Sequence, residues 1–218
     1  MKIFLDTADI SMIKPAYETG LLDGVTTNPT LILKSERQLR EVIEEISETC
    51  PKLKSISAEV VADTAEEMLV QASNYYTIAP SITIKLPCTV EGLKACKFLS
   101  KLSISTNVTL VFSVAQAILA SKAGATYISP FVGRSLDNGI DGIGLIKNIR
   151  EVYSRVGTQT NILAASIRDV RQVEQSALIG ADVVTIPPIV FWGMYKNILT
   201  DAGITQFNKD YFDAINHK

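Results

Sequence analysis

The chain has 218 residues, of which 21 are basic and 23 acidic, so its formal net charge is −2 and the charges are spread along its length. This pattern lacks the basic face of nucleic-acid or membrane-surface binding, and no apolar run reaches the roughly 18 residues that span a bilayer. Asp6 interrupts the first apolar residues too soon for a signal peptide, and the three cysteines lack metal-site spacing. We therefore expect one cytoplasmic domain, residues 1–218, whose partners are small molecules or copies of itself, not nucleic acid or membrane.

Eight short apolar segments alternate with helical patterns along the chain, which is typical of parallel βα units. The predicted strands cover residues 2–6, 24–28, 56–60, 82–86, 105–111, 126–131, 161–166 and 182–187. Between them, helical spacing is clearest at Leu39, Val42, Ile43 and Ile46. Eight units without a linker predict a single-domain α/β fold, the (β/α)8 TIM barrel, with a doubly wound open sheet as the alternative. A helical tail is expected from about residue 205.

Polar side chains share one parity within the middle strands. The pairs are Thr26 with Asn28, Ser57 with Glu59, Thr83 with Lys85, and Asn107 with Thr109. Because side chains alternate across a strand, these residues should face the barrel axis, while apolar neighbours such as Val108 and Leu110 face the helices. The C-terminal ends of the strands, where barrels carry their active sites, also hold Asp6, Ser129, Phe131 and Ser166.

Lys85 is the strongest catalytic candidate, because it stands between Ile84 and Leu86 in a strand that we expect to be buried. An unpaired buried ammonium is costly, so the amine either loses its proton or finds a partner. A neutral lysine forms Schiff bases with carbonyl substrates. The alternative is a structural ion pair with Asp6 or Glu59. These carboxylates would otherwise supply acid and base chemistry, since the only histidine, His217, is one residue from the C-terminus.

A phosphate group would find donors and positive charge near the ends of the sixth and seventh strands. Arg134 follows the sixth strand, and Ser166 and Arg168 follow the seventh, in the region where barrels often bind phosphate. The alternatives are that Arg168 is a solvated first-turn residue and that Asn28 is only a turn residue. The chain has neither a GxGxxG motif nor a metal-ligand spacing, so we predict no cofactor and no metal.

Two segments resemble the signature sequences of the transaldolase family. They are DGVTTNPTLI at residues 23–32 and ITIKLPCTVEGL at residues 82–93, and the second carries the lysine. The resemblance extends over essentially the full chain, whose length is similar to that of a compact branch of short transaldolases and fructose-6-phosphate aldolases. It implies a (β/α)8 barrel, a homo-oligomer that is a pentamer or decamer, and no organic cofactor.

Carried onto this chain, the resemblance implies that Lys85 is the Schiff-base nucleophile. Asp6 would take and return the proton of the substrate hydroxyl at the cleaved bond, and Glu59 would act through a water held with Thr109. The dihydroxyacetone unit would contact Asn28, Asn107, Ser129 and Phe131, with Thr26 as a further substrate-binding candidate. The phosphate would be held by Arg134, Ser166 and Arg168.

Two positions separate the activities of the branch. Its aldolases typically carry glutamine and tyrosine where this chain has Glu59 and Phe131, which are the residues of its transaldolases. The expected activity is therefore transfer of a dihydroxyacetone unit from sedoheptulose 7-phosphate or fructose 6-phosphate to an aldose phosphate, a step of the pentose phosphate pathway. The alternatives are a fructose-6-phosphate aldolase that releases free dihydroxyacetone and a sugar-phosphate-binding protein without catalysis.

Overall fold

Eight parallel strands form a closed barrel in the computed structural model, which describes residues 1–216; His217 lies outside them. The strands are β1 (Lys2–Asp6), β2 (Gly24–Thr26), β3 (Ser55–Glu59), β4 (Ile82–Pro87), β5 (Thr106–Val111), β6 (Tyr127–Pro130), β7 (Asn161–Ala164) and β8 (Val183–Ile186). Pairing of β1 with β8 closes the sheet. The predicted single-domain barrel is confirmed, and the open sheet is excluded.

Helices connect the strands and cover the outside of the barrel. In chain order they are α1 (Ile10–Glu18), α2 (Pro29–Ser35), α3 (Leu39–Thr49), α4 (Ala65–Ser73), α5 (Val90–Lys101), α6 (Val114–Ala123), α7 (Val132–Asp137), α8 (Gly142–Val156), α9 (Val170–Leu178), α10 (Pro188–Gly193) and α11 (Ile198–Asn216). Helix α3 buries Val42, Ile43 and Ile46, the apolar face that the sequence predicts. Such faces pack on the outward side chains of the strands to form the main core.

Apolar side chains fill one part of the barrel interior, below the cavity at the C-terminal ends of the strands. An apolar cluster from β1, β6, β7 and β8 contains Phe4, Tyr127, Leu163 and Val183. The Phe4 ring reaches across to Gly24, where an added Cβ would lie 2.7 Å from the ring and from the Ser55 carbonyl oxygen. Glycine at position 24 therefore leaves room for the Phe4 ring. The open volume of the barrel lies at the C-terminal ends of the strands.

The last helix, α11, contains no buried residue. It begins at Ile198, ahead of the position near 205 expected from the sequence, because the Asn197 side chain accepts a hydrogen bond from the Leu199 N–H and starts the helix there. Phe207, Tyr211 and other apolar side chains of this helix are exposed. Within residues 1–216, no helix combines the length and apolar character needed to cross a membrane.

Candidate active site

A cavity of about 430 Å³ opens at the C-terminal ends of the strands. The residues predicted from sequence that line it are Asp6, Thr26, Asn28, Glu59, Lys85, Thr109, Ser129, Phe131, Arg134 and Ser166. Two further predicted residues, Asn107 and Arg168, are not part of its lining. The sequence reasoning missed Thr185, although the parity rule applied to β8 would place it inward beside Asp6.

Lys85 and Glu59 form a buried ion pair on neighbouring strands. The register of β3 and β4 places the two residues directly opposite each other. Lys85 Nζ lies 2.8 Å from Glu59 Oε2 and donates a hydrogen bond to the Thr27 carbonyl oxygen at 3.2 Å. Only 6% of Lys85 is exposed. The ammonium thus has the partner that burial requires, and Glu59 is close enough to receive its proton when the amine attacks a carbonyl.

Asp6 lies at the end of β1 on the same cavity. Its Oδ1 accepts a hydrogen bond of 2.8 Å from Thr26 Oγ1, which is 2.6 Å from Thr185 Oγ1. Burial raises the pKa of the Asp6 carboxyl, while the Lys85 charge and the Thr26 hydrogen bond lower it; burial is the largest of the three effects. A carboxyl with a raised pKa exchanges protons closer to neutral pH, which suits an acid and base in a site lined without histidine.

Several buried polar atoms around the ion pair lack a hydrogen-bond partner. They include Thr109 Oγ1, Asn107 Nδ2 and Glu59 Oε2, whose contact with Lys85 has ion-pair distance without hydrogen-bond alignment. Ser129 Oγ donates to Asn107 Oδ1 at 2.8 Å and so fixes which end of the amide is free. Unsatisfied buried polar atoms are costly and rare in folded proteins. Their concentration beside Lys85 indicates that substrate oxygens or water complete these bonds.

A β-bulge in β5 corrects one expectation from the sequence. The pairing of β5 with β6 shifts between Val108 and Val111, and Leu110 within the shift has a φ of 60°. Leu110 consequently lines the cavity beside Thr109 and does not face the helices. A non-glycine residue in this left-handed conformation costs about 1–3 kcal/mol and is characteristic of functional sites.

The loops after β6 and β7 are joined at one end of the cavity. The Arg134 backbone N–H donates to Ser166 Oγ at 3.2 Å, and the Arg134 guanidinium lies 4.7 Å from the centre of the Phe131 ring. Gly133 N–H donates to the Ser166 carbonyl oxygen, and a Cβ on Gly133 would lie 2.3 Å from that oxygen. The close approach requires glycine and sets Ser166 against Arg134.

Arg168 has a different environment from Arg134. Both of its terminal nitrogens bond to the Asp137 carboxylate, with Nη1 2.5 Å from Oδ1. The pairing lowers the pKa of Asp137 and raises that of Arg168. The guanidinium is therefore directed to α7 in this structure, and its phosphate-binding role stays a prediction.

Asn28 combines the two roles that the sequence left as alternatives. Its Oδ1 accepts a hydrogen bond of 3.0 Å from the Leu31 N–H and so caps α2, with Pro29 as the first helical residue. The residue also lines the cavity. Because the cap uses the carbonyl end of the amide, its NH₂ group is directed elsewhere and can donate to a ligand.

Together, the fold and the site define a (β/α)8 barrel with a buried lysine–carboxylate pair at its open end. Residues 3–217 match the family described as Transaldolase/Fructose-6-phosphate aldolase. The chain is 53% identical over 211 residues to a probable transaldolase of Caulobacter vibrioides, covering 97% of this chain and 96% of the relative. It is 51% identical to a probable transaldolase of Lactiplantibacillus plantarum with the same coverage. The chain therefore belongs to the transaldolase/fructose-6-phosphate aldolase family.

Solved structures of low sequence identity share the fold. The 3-hexulose-6-phosphate synthase of Salmonella typhimurium superposes with a TM-score of 0.60 at 18% identity, covering 86% of this chain and 89% of the other. Thiamine phosphate pyrophosphorylase of Pyrococcus furiosus gives 0.58 at 13% identity, covering 87% of each chain. At these identities the likeness concerns the barrel architecture alone.

Proposed function

We propose that this protein is a transaldolase that transfers a dihydroxyacetone unit through a Schiff base on Lys85. The observation that carries the proposal is the buried contact of 2.8 Å between Lys85 and Glu59, in the same cavity as the buried carboxyl of Asp6. Membership of the family and relatives named probable transaldolase support it. The donor would be fructose 6-phosphate or sedoheptulose 7-phosphate.

The first half-reaction begins with proton transfer from the Lys85 ammonium to Glu59. The neutral amine then attacks the ketone carbon of the donor, and the carbinolamine loses its hydroxyl as water to give an iminium. Thr109 Oγ1, buried without a partner, would hold with Glu59 the water that carries these protons. Asn28 and Asn107 would donate their free amide hydrogens to the oxygens of the dihydroxyacetone unit.

Carbon–carbon cleavage follows from the position of Asp6. As a carboxylate, Asp6 removes the proton from the hydroxyl at the carbon beyond the scissile bond, and that bond's electrons flow into the iminium. The aldose phosphate leaves, and an enamine stays bound to Lys85. The aldehyde carbon of an acceptor then reacts with the enamine while Asp6 returns its proton, so the kinetics should be ping-pong.

Transfer rather than release depends on keeping water away from the enamine. Phe131 lines the cavity, and its ring centre lies 5.7 Å from that of Phe112, so this wall presents apolar ring surface. A tyrosine at 131 would add a hydroxyl there and assist hydrolysis of the enamine. Phe131→Tyr should therefore raise cleavage in the absence of an acceptor; no rise would remove this explanation for transferase activity.

The proposed function is tested by following glyceraldehyde 3-phosphate release from fructose 6-phosphate, with and without erythrose 4-phosphate. A transaldolase releases it in an acceptor-dependent manner, and Lys85→Met abolishes the release. Brisk release without acceptor would identify the aldolase alternative. Absence of release in both conditions would instead support a protein that only binds sugar phosphates.

We also propose that the chain assembles as a homo-oligomer, a pentamer or decamer as its resemblance to the compact branch implies. Helix α11 supports this, because Phe207, Tyr211 and Phe212 are between 60% and 75% exposed. Exposed apolar surface of this extent is unfavourable in an isolated chain and is typical of an interface. Truncation after Gly203 should reduce the particle mass, and an unchanged assembly would count against the role of α11.

The cytoplasm is the proposed compartment, and no cofactor is proposed. Cys50, Cys88 and Cys96 are free thiols, which suits a reducing environment. None of them lines the cavity. Schiff-base chemistry of the kind proposed uses only the lysine and the two carboxylates, so turnover should persist after exhaustive dialysis against a metal chelator.

A further inference from the structure

Three charged side chains, those of Arg134, Asp137 and Arg168, lie on the segments that follow β6 and β7. Arg134 lines the cavity and forms no ion pair with any carboxylate of residues 1–216. Arg168 does not line it and is bonded through two nitrogens to Asp137. The two arginines, one on α7 and one on the loop after β7, are thus in different states, one available to a ligand and one already paired.

Asp137 can influence both arginines. It follows Arg134 by three residues on α7, a spacing that places two side chains on one helix face, and the Arg134 charge contributes to the lowered pKa of Asp137. The charges of Arg134, Asp137 and Arg168 sum to +1. A phosphate dianion approaching Arg134 therefore meets one free guanidinium and one that is held by a carboxylate.

The backbone keeps Arg168 within reach of the same loop. A Cβ on Gly133 would lie 2.8 Å from Arg168 Nε and 3.2 Å from its Cδ, so the arginine side chain runs against the bare Cα of Gly133. Gly133 directly precedes Arg134 and contacts the Ser166 carbonyl oxygen. About half of the Arg168 side chain is exposed. Rotation about its side-chain bonds alone would move the guanidinium from Asp137 to a ligand near Ser166.

We propose that Asp137 determines the affinity of the cavity for phosphate by competing with the ligand for Arg168. The proposal rests on the proposed function, in which one phosphorylated aldose must leave and another must enter during each turnover. A second free guanidinium would bind phosphate in a bidentate manner and slow that exchange. By pairing with Arg168, Asp137 lowers the affinity for the phosphate end of the substrate and keeps its binding reversible.

The diagnostic change is Asp137→Asn, which keeps the size of the side chain and removes its charge. Arg168 then loses its ionic partner, and the net charge of the three positions rises from +1 to +2. One additional charge-assisted bond to phosphate, reduced in strength because the groups are half exposed, should tighten phosphate binding about five- to tenfold. The gain should shrink at high salt, since screening weakens exposed charge interactions.

Calorimetric titration of the full-length protein with inorganic phosphate at low ionic strength provides the test. The variants are Asp137→Asn, Arg168→Met and their combination, with Glu174→Gln as the control. Glu174 is exposed on α9 and forms no ion pair within the described chain. Glu174→Gln removes one negative charge, as Asp137→Asn does, but breaks no contact with an arginine. We expect Asp137→Asn to tighten phosphate binding when Arg168 is present. When Arg168 is replaced by methionine, the same change should tighten binding by less than about twofold.

Unchanged or weaker phosphate binding by Asp137→Asn would overturn the proposal, as would tightening that persists without Arg168 or is matched by Glu174→Gln. A purely structural role for Asp137 predicts weaker binding together with a lower melting temperature. In turnover, Asp137→Asn should lower KM for erythrose 4-phosphate and lower kcat as product release slows; a raised KM would contradict the competition. Since the titration needs no turnover, its outcome is independent of whether Lys85 forms a Schiff base.

Discussion

Separating Lys85 from Glu59 should destabilise the protein much more than removing both charges. At 2.8 Å the attraction between the two charges is about 6 kcal/mol for an effective dielectric constant near 20, from 332/(20 × 2.8). Desolvation of two buried ions costs several kcal/mol each, so the net contribution of the intact pair is small. Removing one partner leaves the other uncompensated, which typically costs about 3–5 kcal/mol.

The variants are Lys85→Met, Glu59→Gln and the double variant. The Glu59 side chain is 15% exposed and so has some access to water, which places the expected cost of Lys85→Met near the lower limit, about 3 kcal/mol. For a chain of this length that corresponds to a fall in melting temperature of about 6–12 °C. The double variant should lie within about 1 kcal/mol of the wild type, because neither member of the pair is left as a buried charge without its partner.

Thermal unfolding followed by circular dichroism measures these shifts, and Lys54→Met is the matched control. Lys54 pairs with Asp23 at 3.0 Å, but 61% of its side chain is exposed, so its loss should cost at most about 1 kcal/mol. If both single variants of the buried pair melted within about 2 °C of the wild type, less than 1 kcal/mol would separate paired from unpaired charges. The assignment of a buried, mutually dependent pair would then be wrong.

Three further changes test other parts of the site. Asp6→Asn should abolish turnover. Burial raises the pKa of Asp6 above its ordinary value of 3.8, so ionisation of this carboxyl in the folded protein costs the wild type stability as pH rises from that value. Urea unfolding should therefore show the variant gaining stability relative to the wild type as pH rises above about 4. Gly133→Ala should raise KM for sugar phosphates and destabilise by about 1–3 kcal/mol, since its Cβ would meet the Ser166 carbonyl oxygen; unchanged steady-state kinetics would contradict this. Glu36→Gly should raise the melting temperature by a few degrees, because Glu36 has a φ of 55° after α2; a lower one would show that its side chain stabilises the turn.

The alternation of short apolar segments with helical patterns predicts most of the fold. In a barrel, each strand packs against the surrounding helices on its outer face and fills the interior with its inner face. A second pattern, the alternation of side chains within each strand, predicts that Thr26, Glu59, Lys85 and Thr109 lie together, since residues of equal parity in register share the inner face. Side-chain parity predicts orientation where strands are regular. Thr185 was overlooked although its parity in β8 carries the signal.

Irregular backbone and long-range pairing account for what sequence could not predict. The bulge that turns Leu110 into the cavity has no glycine to mark it, because the left-handed conformation is imposed by the pairing of β5 and β6. The bond between Arg168 and Asp137 joins residues 31 positions apart, on the loop after β7 and on α7, and the closed barrel determines how these two segments lie relative to each other. Local patterns contain no information on such contacts.

Borohydride reduction in the presence of fructose 6-phosphate, followed by peptide mass spectrometry, tests the central claim most directly. Schiff-base transfer predicts a reduced three-carbon adduct on Lys85, which is lost in Lys85→Met and displaced when erythrose 4-phosphate is added before the reductant. Absence of an adduct, or its appearance on a lysine outside the cavity, would contradict Schiff-base transfer at this site.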